Sequence, residues 1–123
     1  MNLYPDEKFF RENSTIPIID IRTEGEWADT GILDGVIPIT FFDEMGQYDL
    51  DDFLEKLHKI IGDKSKQFAL ICRTGSRTGQ ITSFLNKQGY KGINLQGGMF
   101  YVMRERSFPI VAYERGKDYF NDL

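Results

Sequence analysis

Residues 68–85 read FALICRTGSRTGQITSFL, and the fold turns on this stretch. It opens with an apolar run, Phe68 to Ile71, of the length and character of a buried strand. Cys72, the only cysteine of the chain, stands where the run stops. Arg73, Gly75, Arg77 and Gly79 follow within seven residues, and from Ser76 the pattern turns helical. A strand that enters a helix across a short glycine-containing loop aims several backbone N–H groups into one concavity. The start of the helix adds its positive end. Gly75 can take the positive φ that such a loop demands. Arg73 and Arg77 bring fixed charge. Each feature favours thiolate over thiol and would hold an oxyanion beside the sulfur. A cysteine at a strand end also suits plain core packing, and on these residues alone both readings stand.

The rest of the chain sets the bounds. Its 123 residues suit one compact domain spanning 1–123, large enough to bury a core without staples. Apolar residues make up 41% and charged residues 28%, a globular balance and not that of a disordered chain. With 15 basic and 19 acidic side chains the net charge is −4, so no general attraction to nucleic acid or to an anionic membrane is expected. Any anion site must be local. A single cysteine excludes an internal disulfide framework and a multi-cysteine metal site, and it suits a reducing compartment such as the cytoplasm. The opening MNLYPDEKFF lacks the basic and apolar regions of a signal peptide. The apolar runs are too short to span a membrane.

Strand and helix patterns alternate along the chain. PDEKFFREN predicts a short helix and IPIIDI, residues 16–21, a buried strand. TEGEWADTG predicts a helix capped by Thr23 and stopped by Gly31, and GVIPIT a further strand. The strongest helical stripe lies in DLDDFLEKLHKIIGD, where Phe53, Leu54, Leu57, Ile60 and Ile61 recur at helical spacing before Gly62. QFALIC is a strand, and SRTGQITSFLNKQGY a helix whose inner face would carry Ile81, Phe84 and Leu85. GINLQ and GMFYVMRER supply one more strand and helix, and the tail from Phe108 wraps the surface. Such alternation implies crossover units and a parallel sheet covered on both faces. Ligands bind beyond the carboxyl ends of strands in these sheets, and Cys72 falls at such an end.

The loop length separates two chemistries. Tyrosine phosphatases place an arginine six residues after their cysteine. Here that position is Thr78, and the arginine, Arg77, comes one residue earlier. A loop one residue shorter makes a smaller cradle, suited to a sulfur atom more than to a phosphate under attack.

The sequence resembles single-domain members of the rhodanese family. CRTGSRT matches the family's active-site loop, which runs from the catalytic cysteine to an arginine. IIDIRTEGEW resembles the early signature of that family through Asp20, Arg22, Glu26 and Trp27. FLNKQGYKGINLQGGM resembles the stretch after the loop, with Gly89, Tyr90, Leu95, Gly97 and Gly98 in the expected places. The resemblance runs from about residue 16 to residue 110. It implies an α/β three-layer sandwich with a central, mostly parallel sheet between helices. It also implies sulfur transfer from a small anionic donor such as thiosulfate to cyanide, a cellular thiol or a protein acceptor. Cys72 would carry the sulfur as a persulfide. Backbone amides of Arg73, Thr74, Gly75, Ser76 and Arg77 would cradle that sulfur, and Arg77 would tie the loop down or face the donor. No cofactor or metal is implied. Three departures bear on the pocket: Ile32 replaces a frequent histidine, Val102 replaces a frequent tryptophan beside Tyr101, and the segment before Pro109 is one residue longer.

Other residues read as structural. Asp20 and Arg22 suit an ion pair supporting the site, extended to Glu26. His58, the only histidine, lies at the edge of a helical stripe and reads as a solvated surface residue. DLDD reads as a helix cap and not a metal site. Gly97 and Gly98 would let a helix start approach the cysteine loop, and Tyr101 would line the pocket. Two other functions remain as alternatives. One is a non-catalytic module of the same fold that binds a partner protein. The other is an arsenate reductase or phosphatase on a related scaffold.

Overall fold

The computed structural model describes residues 1–121. Five strands form one wholly parallel sheet: β1 (Asn2–Leu3), β2 (Ile18–Asp20), β4 (Ile37–Pro38), β5 (Gln67–Ile71) and β6 (Lys91–Leu95). Their order across the sheet is β1-β6-β5-β2-β4, with β5, the strand that leads into Cys72, in the centre. Side chains alternate along β5: Phe68 and Leu70 enter one core, Ala69 and Ile71 the other. Helices α3 (Leu50–Ile61) and α4 (Ser76–Lys87) cover the first face through Phe53, Leu57, Ile81 and Leu85. Helices α1 (Glu7–Glu12), α2 (Glu24–Thr30) and α5 (Gly98–Glu105) cover the second through Phe9, Trp27, Met99 and Val102. This is the three-layer α/β sandwich that the resemblance implies, built on the covered parallel sheet that the alternation predicts.

Local chemistry explains the element boundaries. Asp49 caps α3 by accepting from the Asp52 N–H at 3.1 Å, which assigns the acidic run to capping, and Gly62 ends the helix at φ 83°. Thr23 and Glu26 form a capping box at the start of α2. Pro38 lies on the edge strand β4, where its missing N–H costs no ladder bond between two neighbours.

Several features differ from the sequence reading. Phe84 is 45% exposed, and the inner face of α4 is Thr78, Ile81, Thr82 and Leu85. Those four positions form one unbroken helical stripe. Burying the two threonines is tolerable because each hydroxyl is bonded, Thr82 to the Thr78 carbonyl at 2.8 Å and Thr78 to Asn94. The GVIPIT strand contracts to Ile37–Pro38. Ahead of it, β3 (Ile32–Leu33) pairs antiparallel with β7 (Ile110–Val111) in a small second sheet. The tail therefore runs as a strand before it crosses α2, where Tyr113 packs on Trp27 and donates to Glu24 at 2.7 Å. Desolvation, then that bond to a carboxylate, pushes the Tyr113 hydroxyl up to about 12. His58 is exposed as expected, although its ring meets the Tyr90 hydroxyl.

Candidate active site

Three strands deliver the site to one edge of the sheet. β5 ends at Ile71, just before Cys72, β2 ends at Asp20, and β6 leads into Gly97 and α5. The Cys72 side chain is buried, and its Sγ accepts from the Gly75 N–H at 3.1 Å. Gly75 makes this contact at φ 93°, a left-handed conformation costly for any residue with a Cβ. Thr74 and Ser76 are exposed beside it. The loop is also held from below. The N–H groups of Met99 and Phe100, in the first turn of α5, donate to the carbonyls of Cys72 and Arg73 at 2.9 Å each. These amides have no partner within their own helix, so the start of α5 is satisfied by the cysteine loop. The approach is close enough that a Cβ on Gly98 would lie 2.4 Å from the Cys72 oxygen.

The charged residues divide into two pairs. Asp20 and Arg22 are fully buried and joined at 2.8 Å; Arg22 also donates to Thr30 and to the Gly31 carbonyl. Glu26 is not bonded to this pair, contrary to the grouping expected from sequence. It takes both terminal nitrogens of Arg77, at 2.8 Å each, while it closes the capping box of α2. The hydrogen bond from Arg77 holds the Glu26 carboxyl below its ordinary range, against the opposing effect of burial. The same bond raises the Arg77 guanidinium. Arg77 thus ties the cysteine loop to α2. Arg73 is exposed, forms no ion pair among the described residues, and borders a recess of about 130 Å³ with Met99, Phe100 and Met103. Tyr101 packs on Tyr4 with ring centres 5.1 Å apart, and it is Phe100 and Met103 that line this recess.

Beneath the sulfur lies a polar chain that sequence reading missed. Cys72 Sγ is 3.4 Å from the Thr78 hydroxyl, which donates to Asn94 Oδ1, and Asn94 Nδ2 donates to Asn2 Oδ1 at 3.0 Å. Thr78 is fully buried and Asn94 nearly so. The available signal was a polar pair, Thr78 and Asn94, at positions where the patterns demand core. Among the described residues no three His, Cys, Asp or Glu side chains cluster closely enough to hold a metal ion.

A rhodanese-like domain model matches residues 7–105. The chain belongs to the rhodanese-like family. A Bacillus subtilis protein named "Putative sulfurtransferase YtwF" is 35% identical over 82 residues, covering 67% of this chain and 68% of that one. A rhodanese-like domain protein from Staphylococcus aureus aligns over 92% of this chain and 98% of its own, with TM-score 0.66 and 19% identity. The polysulfide-sulfur transferase of Wolinella succinogenes aligns over 96% of this chain and 82% of its own, with TM-score 0.61 and 22% identity. The two structures share the fold, and the family is one of sulfurtransferases. Two departures from the rhodanese pattern go into packing: Ile32 is buried in β3, and Val102 is buried on α5. In the segment before Pro109, Ser107 donates to the Pro5 carbonyl at 2.6 Å.

Proposed function

We propose that the chain, acting as one domain, carries sulfane sulfur on Cys72 from a small anionic donor such as thiosulfate to cyanide or a cellular thiol. The observation that carries this reading is the short loop itself, in which the sulfur of Cys72 meets the Gly75 N–H at a strand end beside two arginines. In the first half-reaction the Cys72 thiolate attacks the outer sulfur of thiosulfate. A bond forms between the two sulfurs, the bond to the sulfonate breaks, and sulfite leaves with the electron pair. In the second, the acceptor attacks the outer sulfur of the persulfide and Cys72 leaves as thiolate. Loop amides stabilise the sulfur anion in both steps. Arg73 meets the donor's sulfonate, because Arg77 already has a carboxylate partner. Neither step calls for a metal or an organic cofactor. The acceptor thiols suit a reducing compartment, and we assign the activity to the cytoplasm.

The test is incubation with thiosulfate followed by intact-protein mass measurement, then addition of cyanide. The wild type should gain one sulfur atom and lose it to cyanide. Cys72→Ser should gain none and keep its circular dichroism. Unchanged transfer by Cys72→Ser would overturn the mechanism, and a wild type that takes up no sulfur from any donor would favour the partner-binding module. Hydrolysis of p-nitrophenyl phosphate should stay at background.

A further inference from the structure

We infer that Asn94 governs the reactivity of Cys72 by holding the hydroxyl proton of Thr78 away from the sulfur. This deepens the reading of Cys72 as a nucleophile, but its test uses alkylation, so the two can fail separately. Thr78 has one hydroxyl proton to donate. Two acceptors compete for it, Sγ of Cys72 at 3.4 Å and Oδ1 of Asn94. The amide of Asn94 is oriented by Asn2, whose Oδ1 accepts from Nδ2 at 3.0 Å, and this turns Oδ1 toward Thr78. The backbone register is the same, with Asn2 opposite Asn94 in the β1–β6 pairing. The proton of Thr78 therefore points at Asn94, and a lone pair faces the sulfur.

That arrangement suits a thiol, which donates to Thr78. It opposes a thiolate, which offers no proton and meets a lone pair. For Thr78 to turn its proton to the sulfur, the buried Oδ1 of Asn94 must lose its partner. Asn94 is thus a positioning residue that restrains the anion, acting against the Gly75 amide. The charged groups around Cys72 are Arg73 on its loop, Arg77 on α4 with Glu26 of α2, and the Asp20–Arg22 pair of β2. From β6 and α5 the facing residues, Asn94 and Met99, are uncharged. None of the charged groups changes in the variants below.

The experiment is the rate of Cys72 alkylation by iodoacetamide against pH, in the wild type and four variants checked by circular dichroism. Asn94→Leu should move the profile to lower pH, with about tenfold faster alkylation on its acid limb, equivalent to about one pH unit. Thr78→Ser with Asn94→Leu should show the same shift, because the hydroxyl is kept. Thr78→Val with Asn94→Leu should match Thr78→Val alone, because no hydroxyl remains to be released. A shift that persists without the hydroxyl, an upward shift, or none overturns the inference. If Asn94→Leu does not fold, the exposed Asn2→Ala replaces it: freeing the Asn94 amide must again lower the profile, and an unmoved profile overturns the inference.

Discussion

Arg73, on the cysteine loop, and Arg77, in the first turn of α4, stand four positions apart and have different surroundings. Arg77 is gripped by Glu26 with both side chains about 30% exposed, so the pair is worth about 1–2 kcal/mol after discounting for solvent. Arg77→Gln should lower the melting temperature by roughly 3–8 °C and reduce transfer by loosening the loop. Arg73→Gln should leave the melt unchanged and lower kcat/KM for thiosulfate about tenfold, the loss of one exposed charge-assisted contact. Kinetics and thermal melts on both variants separate the two roles. The pair also carries a pH signature. The folded Glu26 carboxyl lies below its ordinary value of 4.5, so its contribution to stability is complete above that pH. It fades as the pH falls through the lowered folded value. The stability gap between wild type and Arg77→Gln, read from urea melts, should therefore be full at neutral pH and shrink in acid. A gap that is constant with pH would remove Glu26 from the account. The sequence exposed both arginines and the glutamate, but not who pairs with whom, since Glu26 and Arg77 are 51 positions apart and only the fold joins them.

At the scale of elements, the contact between the start of α5 and the cysteine loop is the tightest in the site. Gly98→Ala would drive a Cβ against the Cys72 carbonyl at 2.4 Å and must hold φ at +57°. The expected cost is roughly 2–4 kcal/mol, with a large loss of transfer. Gly35→Ala is the control, since a Cβ there meets nothing within 4 Å and only its φ of +82° is strained, at about 1–2 kcal/mol. Equal destabilisation by the two would show that backbone strain alone, and not the close approach, matters at Gly98. The long elements were legible because each carries a local signal: the stripe and caps of α3, the capping box of α2, the apolar run of β5. Of the four two-residue strands described, β1, β3 and β7 have no period to read, and their existence depends on distant partners. Phe84 was misassigned for the same reason. A buried Thr78 is acceptable only once β6 brings Asn94 beneath it.

Across the whole molecule, the covered parallel sheet follows from one alternating pattern, and the strand order, with β5 at its centre, does not. Alternation demands crossovers but leaves open which strand lies beside which. That order has a temporal consequence. Among the described residues β1 pairs with β6 alone, and Asn2 bonds Asn94 across 92 positions of sequence. β3 likewise closes on β7 near the end of the described chain. Refolding from denaturant should therefore be slow for a chain of this size, on the order of milliseconds to seconds by stopped-flow fluorescence. A microsecond phase carrying the full amplitude would contradict it. On a ribosome the delay is longer still. At roughly 5–20 residues per second, the first strand leaves the exit tunnel roughly 5–20 s before its partner leaves it, and waits that long with an open edge.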